Sequence, residues 1–352
     1  MAAGVVALAV AGMSLVACGT SNPGSNPGSS TGGGTGGGLK VGMAYDVGGR
    51  GDASFNDSAA RGLDQARSRY GIAAKELAAT DGESDAQKED RLRQLAEAGF
   101  NPIIAVGFAY AGPLGKVAKD HPDLKFAIID DFTAGTDTGP NIANLTFAEN
   151  EGSYLVGVAA ALKSRTGNVG FVGGVNTPLI QKFQAGFEAG VKAVKPTDAV
   201  AVKYLTQPPD FSGFSDPAKG QTAGQGMYDA GADVVFAAAG GSGSGVFKAA
   251  KASGKLAIGV DSDQYNQPAL AGVKSVIMTS MIKKVDVAVL DFITAVRDGR
   301  FVSGQRVYDL KAGGIDYATS GGQVDDIKVR LDQYKQKIIS GGLTVPATIS
   351  GR

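Results

Sequence analysis

From Leu39 onward, short apolar runs alternate with stretches in which apolar residues recur every three or four positions. The runs at 40–45, 73–78, 102–106 and 125–129 read as strands. Between them, Ala60, Leu63 and Ala66 mark the inner face of one helix, and 85–98 and 114–118 read as two more. A second set begins after Leu145-Thr146-Phe147, with helices at 149–163, 179–194 and 217–229 and strands at 169–172, 200–205, 234–239 and 256–260. A strand at 275–280, a helix at 282–297, irregular segments and an amphipathic helix at 324–339 complete the chain. Regular alternation of this kind predicts doubly wound parallel sheets flanked by helices. Two similar sets of roughly 110 residues each exceed what one sheet needs, so the pattern predicts two α/β lobes with a cleft between them.

Residues 234–264 show where such a fold places its chemistry. An apolar strand runs into the glycine loop 240–245, a helix carries Val246, Ala249 and Ala250, and a second strand ends in Asp261 and Asp263. In open α/β sheets, ligands collect at the carboxyl ends of the strands. Glycine there lets backbone N–H groups approach a ligand, and carboxylates suit hydroxyl-rich or cationic guests better than free phosphates. The loop lacks the Lys-Ser/Thr ending of a P-loop and the spacing of a dinucleotide fingerprint. By the same rule the cleft is lined by 46–57, 107–110, Asp130 with Asp131, 173–183, 240–245, 261–264 and 280–283. These loops carry Phe55, Phe108 and Phe183, aromatics able to stack on a planar ligand beside hydrogen-bonding neighbours.

Composition removes several function classes. The charges balance at 34 against 34, which marks neither a nucleic-acid binder nor a membrane-coating surface. One Cys and one His, Cys18 and His121, cannot assemble a His/Cys metal cluster or a Cys-His catalytic pair. Ser242 and Ser244 have no recognisable His partner, and VDSD at 260–263 stops short of a calcium loop. Adjacent strand residues point to opposite faces, so Asp130 and Asp131 cannot both aim at one bond, and one of them faces the cleft. The reading is a non-enzymatic protein without cofactor or metal.

The N-terminal region has its own composition. Residues 1–18 form an apolar segment too short for a confident membrane span, and Leu15-Val16-Ala17-Cys18 resembles a bacterial lipobox, although no Lys or Arg precedes the apolar run. Cleavage there would leave a lipid-modified Cys18, anchoring the chain to the cell membrane on its extracytoplasmic side. Residues 19–38 are almost wholly Gly, Ser, Asn, Pro and Thr, a disordered tether spanning on the order of 25 Å.

Taken together, DVGGRGDASFND, AVGF at 105–108, FAIID at 126–130, KFQAGF at 182–187, DPAKGQ at 216–221, ADVVFAAAGGSGSGVF at 232–247, IGVDSDQ at 258–264 and TSMIKKVDVAV at 279–289 resemble the basic membrane protein (BMP/Med) family of ABC-transporter substrate-binding lipoproteins, purine nucleoside receptor type. The resemblance implies a type I periplasmic-binding-protein fold, with 39–148 and 266–302 in the N-terminal lobe and 149–265 and 303–345 in the C-terminal lobe. It implies a nucleoside, purine in preference, held in the cleft and delivered to ABC permease and ATPase subunits. Carried over residue by residue, Phe55 and Phe183 sandwich the base, with Phe108 nearby and Asn56 and an acidic group on the base edge. That acidic group is one of Asp46, Asp52, Asp57 and Asp131. Asp261 and Lys283 take the sugar hydroxyls, assisted by the backbone of Gly240 or Gly241. The loop at 206–217 is longer than the family form. A ligand sensor of the same fold and a nucleoside hydrolase or phosphorylase are the alternative functions.

Overall fold

A computed structural model describes residues 38–131 and 139–349; the leader, Cys18 and tether readings fall on residues outside those described. The first half runs β1 (Lys40–Tyr45), α1 (Phe55–Tyr70), β2 (Ala73–Ala78), α2 (Asp85–Glu97), β3 (Ile103–Val106), α3 (Ala111–Asp120), β4 (Phe126–Ile129) and β5 (Ile142–Phe147). The second continues with α4 (Glu149–Lys163), β6 (Asn168–Val175), α5 (Pro178–Val194), β7 (Ala199–Thr206), α6 (Pro217–Asp229), β8 (Val234–Ala238), α7 (Gly243–Ser253) and β9 (Leu256–Asp261). After it come β10 (Ile277–Lys283), α8 (Val285–Arg297), β11 (Gly304–Tyr308), β12 (Ile315–Tyr317) and α9 (Lys328–Ile339).

These strands form two six-stranded sheets, ordered β11-β5-β4-β3-β1-β2 and β12-β10-β9-β8-β6-β7. The first is parallel throughout, and the second is parallel except for the antiparallel edge strand β12. Central strands such as IIAV (β3), FAII (β4) and VVFAA (β8) are buried along their whole length, because helices cover both faces of each sheet. That is why these strands read as unbroken apolar runs.

The lobes are divided differently from the sequence reading. Strand β10, expected with the first lobe, pairs with β9 in the second sheet, while α8 after it packs on α1 of the first lobe. Strand β11, expected with the second lobe, pairs with β5 in the first sheet. The chain therefore crosses between lobes three times, at β5 to α4, at β10 to α8 and at β11 to β12. Helix 282–297 starts only at Val285, since Ile282 and Lys283 extend the strand. Neither β5 nor β11 is legible as a strand: Asn144 and Thr146 interrupt the first, and four of the five residues of the second are exposed at a sheet edge.

Helices α4 and α5 approach closely from the first turn of α4 onward. A Cβ on Gly186 would lie 2.1 Å from the Asn150 carbonyl oxygen, and one on Gly190 equally close to that of Tyr154. The absence of a Cβ at these two positions thus permits the close packing of the two helices whose N-terminal turns reach the cleft.

Candidate functional site

Loops at the carboxyl ends of both sheets enclose a cavity of about 570 Å³, part of it continuous with solvent. Its wall brings together Asp46 after β1, Phe55 and Asn56 at the start of α1, Gly107 and Phe108 after β3, and Asp130 after β4. The second lobe supplies Leu179, Ile180 and Phe183 from α5, Gly240 after β8, Asp261 at the end of β9 and Lys283 at the end of β10. Asp52 and Phe214 complete the polar and aromatic lining.

Local sequence explains the placement. Asp52 folds the glycine-rich loop onto the start of α1: Oδ1 accepts from the backbone N–H of Ser54 (2.9 Å) and Asp57 (3.1 Å), and Oδ2 from that of Asn56 (2.8 Å). It thereby satisfies N–H groups that a helix start leaves without partners. Asp57 does the same work from the other side, accepting from Gly51 (2.8 Å) and Ala53 (2.9 Å). Both carboxylates are thus taken up by the loop. Asp46 accepts the Val47 N–H at 2.8 Å and lies against Gly107, where an added Cβ would fall 2.3 Å from Asp46 Oδ2. Asn56 donates from Nδ2 to the Val47 carbonyl at 3.2 Å, and its buried Oδ1 has no hydrogen-bond partner among the described residues.

The polar centre is Lys283, only 2% exposed. Its ammonium pairs with Asp130 of the opposite lobe and lies 3.4 Å from Glu149 Oε1. Three aromatic faces surround it, with centroids at 4.9 Å (Phe55), 5.1 Å (Phe147) and 5.6 Å (Phe183). Burial opposes the charge on Lys283, but the carboxylates of Asp130, Glu149 and Asp261 outweigh it and raise the lysine above its ordinary value. Asp261 accepts from Ser54 Oγ across the cleft at 2.6 Å, and its burial pushes its carboxyl up. Burial likewise raises Asp130, and it pushes Asp46 and Asp52 each up to about 6. Asp130 (φ 71°), Asp261 (φ 62°) and Ala53 (φ 54°) all hold left-handed backbone, a costly conformation for side-chain-bearing residues that concentrates at ligand sites.

The lobes meet over the cavity. Ser262 Oγ donates to the Ser54 carbonyl at 2.8 Å, Gln264 Nε2 to that of Ala53 at 3.0 Å, and Arg61 Nη2 to Ser262 Oγ at 3.0 Å. The long 206–217 loop closes the rim: Phe211 packs edge-on against Phe108 at 5.7 Å, and Ser215 Oγ donates to Asp81 Oδ1 at 3.2 Å.

Of the residues expected to contact ligand, Asp46, Asp52, Phe55, Asn56, Phe108, Phe183, Gly240, Asp261 and Lys283 share this one cavity wall. Two do not. Asp131 is fully buried off the wall, because the left-handed turn at Asp130 sends that side chain to Lys283 and its neighbour the other way. Gly241 faces an outer pocket beside Asp52 and Lys248. Phe214 is not among the expected contacts, and Leu179 and Ile180, within the 173–183 stretch expected at the cleft, look individually like plain core positions of α5. Glu149 is not among them either, since nothing in its local sequence reports its long-range approach to Lys283 or its bond from Lys182.

Two α/β lobes joined by three crossings and closed over such a cleft define the class of type I periplasmic binding proteins. A crystal structure of an ABC transporter solute-binding protein from Aeropyrum pernix K1 superimposes with a TM-score of 0.75 at 29% identity, covering 88% of this chain and 94% of that one. The family model described as "ABC transporter substrate-binding protein PnrA-like" matches residues 39–349, and the chain belongs to that family. It is 36% identical to the "CD4+ T-cell-stimulating antigen" of Listeria monocytogenes, with 95% of each chain covered. It is 34% identical to the "ABC transporter nucleoside-binding protein BmpA" of Lactococcus lactis, covering 88% of this chain and 89% of the relative. The protein is thus a solute-binding component of an ABC transporter, and its task is to bind and hand over a small molecule, not to convert it.

Proposed function

We propose that the cleft binds a nucleoside, purine in preference to pyrimidine, and delivers it to the transporter's permease and ATPase. The observation that carries this reading is the one cavity wall that brings the rings of Phe55 and Phe183 together with the Asp261 carboxylate and the Lys283 ammonium. A flat base gains most from aromatic faces, and a lysine beside a carboxylate matches a sugar diol, donating to its oxygens while Asp261 accepts from its hydroxyls. In this reading Phe55 and Phe183 hold the base, Asp261, Lys283 and the Gly240 backbone hold the sugar, and Phe108 closes the outer end. The base edge falls to Asp46 and Asn56: Asp52 and Asp57 are occupied by backbone N–H groups, Asp131 is off the wall, and Asn56 Oδ1 is unpartnered among the described residues. A relative named as a nucleoside-binding protein supports the choice of a nucleoside as the ligand.

The reading is tested by thermal shift across adenosine, guanosine, inosine, uridine, cytidine, free sugars and amino acids. A ligand a hundredfold above its Kd adds about 2.7 kcal/mol of stability. Purine nucleosides are expected to give the largest rise; no response to any nucleoside overturns the reading. Attachment to the outer face of the cell membrane through lipid on Cys18 is part of the same proposal. Mass spectrometry of the native N-terminus tests it, expecting a diacylated Cys18, and an unmodified or absent cysteine rejects it.

A further inference from the structure

The cavity wall leaves Glu149 unexplained. It is 1% exposed, does not line the ligand cavity, and stands just after the first crossing between the lobes, where β5 gives way to α4. Lys283, at the end of β10, stands just before the second crossing, so the two charges flank successive crossings of the hinge. Lys182 of α5 donates to Glu149 Oε2 at 2.7 Å and pins the carboxylate from behind. Among the described residues Oε1 has no hydrogen-bond partner, and it lies 3.4 Å from the Lys283 ammonium. Leaving a buried carboxylate oxygen without a hydrogen bond is costly, and such groups in folded proteins call for an explanation.

Resting on the nucleoside reading of the cleft, we propose that Glu149 is a positioning residue for Lys283: backed by Lys182, it holds the ammonium at the wall where sugar hydroxyls meet it. The lobe assignment gives the reason. Asp130 follows β4 and belongs to the first sheet, whereas Lys283, Asp261 and Lys182 belong to elements of the second lobe and Glu149 opens its first helix. When the lobes part, Asp130 is carried away from Lys283, while Glu149 stays with it. The lysine then faces an open cleft already paired and already oriented, so closing on a ligand spends less binding energy on ordering it.

Glu149→Gln keeps shape and removes charge. The expected result is ribonucleoside binding weakened on the order of tenfold, as for other outer-shell partners of a binding group, with free-base binding unchanged, so that the ratio of ribonucleoside to free-base affinity falls. Lys182→Met shifts the same ratio in the same direction, and Lys182→Arg restores it. An unchanged ratio in both Glu149→Gln and Lys182→Met overturns the proposal. A second measurement needs no ligand: side-chain NMR of lysine-labelled protein should show a Lys283 ammonium signal that moves or exchange-broadens in Glu149→Gln, and an unmoved signal also overturns it. Failure of the wild type to bind any nucleoside would remove the function proposed above while leaving this NMR result to decide the role of Glu149.

Discussion

Asp130 and Asp261 lie on opposite lobes, yet each sits at the carboxyl end of a central strand in left-handed backbone, φ 71° and 62°, and each lies in the field of the same Lys283 ammonium. One closes an ion pair across the cleft with it, and the other is bonded across the cleft by Ser54. The two strained residues therefore face a single point where both lobes meet.

Asp261→Asn keeps the side chain's size but exchanges one carboxylate acceptor for an amide donor. Hydrogen bonds to charged groups contribute roughly 1.5–3 kcal/mol, so ribonucleoside affinity measured by titration calorimetry should fall about ten- to hundredfold. Free-base affinity should change little.

Phe55→Ala and Phe183→Ala remove one aromatic face each. Base stacking on an aromatic is worth about 1–3 kcal/mol. Both variants should weaken nucleoside and free base in the same proportion, in contrast to Asp261→Asn.

Asp46 supplies a pH prediction. Its folded carboxyl is raised from 3.8 to about 6 by burial, so between those values the folded state holds more protons than the unfolded one. This group's contribution therefore favours folding at acid pH and is lost as pH rises through about 6, costing about 3 kcal/mol at neutrality. Asp46→Asn should raise the melting temperature of ligand-free protein at pH 7 relative to wild type, and the difference should shrink towards pH 4. The same variant should weaken purine binding, because a carboxylate at the base edge accepts N–H donors and an amide nitrogen does not.

The rim makes a kinetic prediction. Phe211→Ala removes the edge contact with Phe108 at 5.7 Å, outside the main body of the site. Stopped-flow measurements should show faster ligand dissociation with unchanged preference among bases.

Gly186→Ala tests whether the packing of α4 on α5 supports the site. The new Cβ would fall 2.1 Å from the Asn150 carbonyl oxygen, forcing the helices apart at a cost of about 1–3 kcal/mol or more. Because Glu149 and Phe183 ride on these helices, denaturant midpoint and nucleoside affinity should fall together.

How much of this was legible in the chain depended on what each residue reports locally. Buried strands such as FAII and VVFAA announce themselves as apolar runs, and the α/β alternation followed from them. The exposed edge strand β11 and the polar-interrupted β5 carry no such pattern, and with them went the correct division of residues 266–345 between lobes. The cleft loops were legible because ligands gather at strand carboxyl ends, and Phe55, Phe183, Asp261 and Lys283 lie within a few residues of such ends or on the helix starts that follow. Choosing among the carboxylates was not possible from spacing: only the backbone N–H groups on Asp52 and Asp57, and the left-handed turn at Asp130, separate loop-forming aspartates from cavity-facing ones. Glu149 reaches Lys283 across 134 positions of chain (283 minus 149), a relation no local pattern encodes.

The account stands most directly on a crystal structure of the protein grown with inosine. It predicts the hypoxanthine ring between Phe55 and Phe183, its edge on Asp46 and Asn56, and the ribose hydroxyls on Asp261 and Lys283. Density for the nucleoside outside the inter-lobe cavity, or a ribose lying between the two phenylalanines with the base on Lys283, would contradict it.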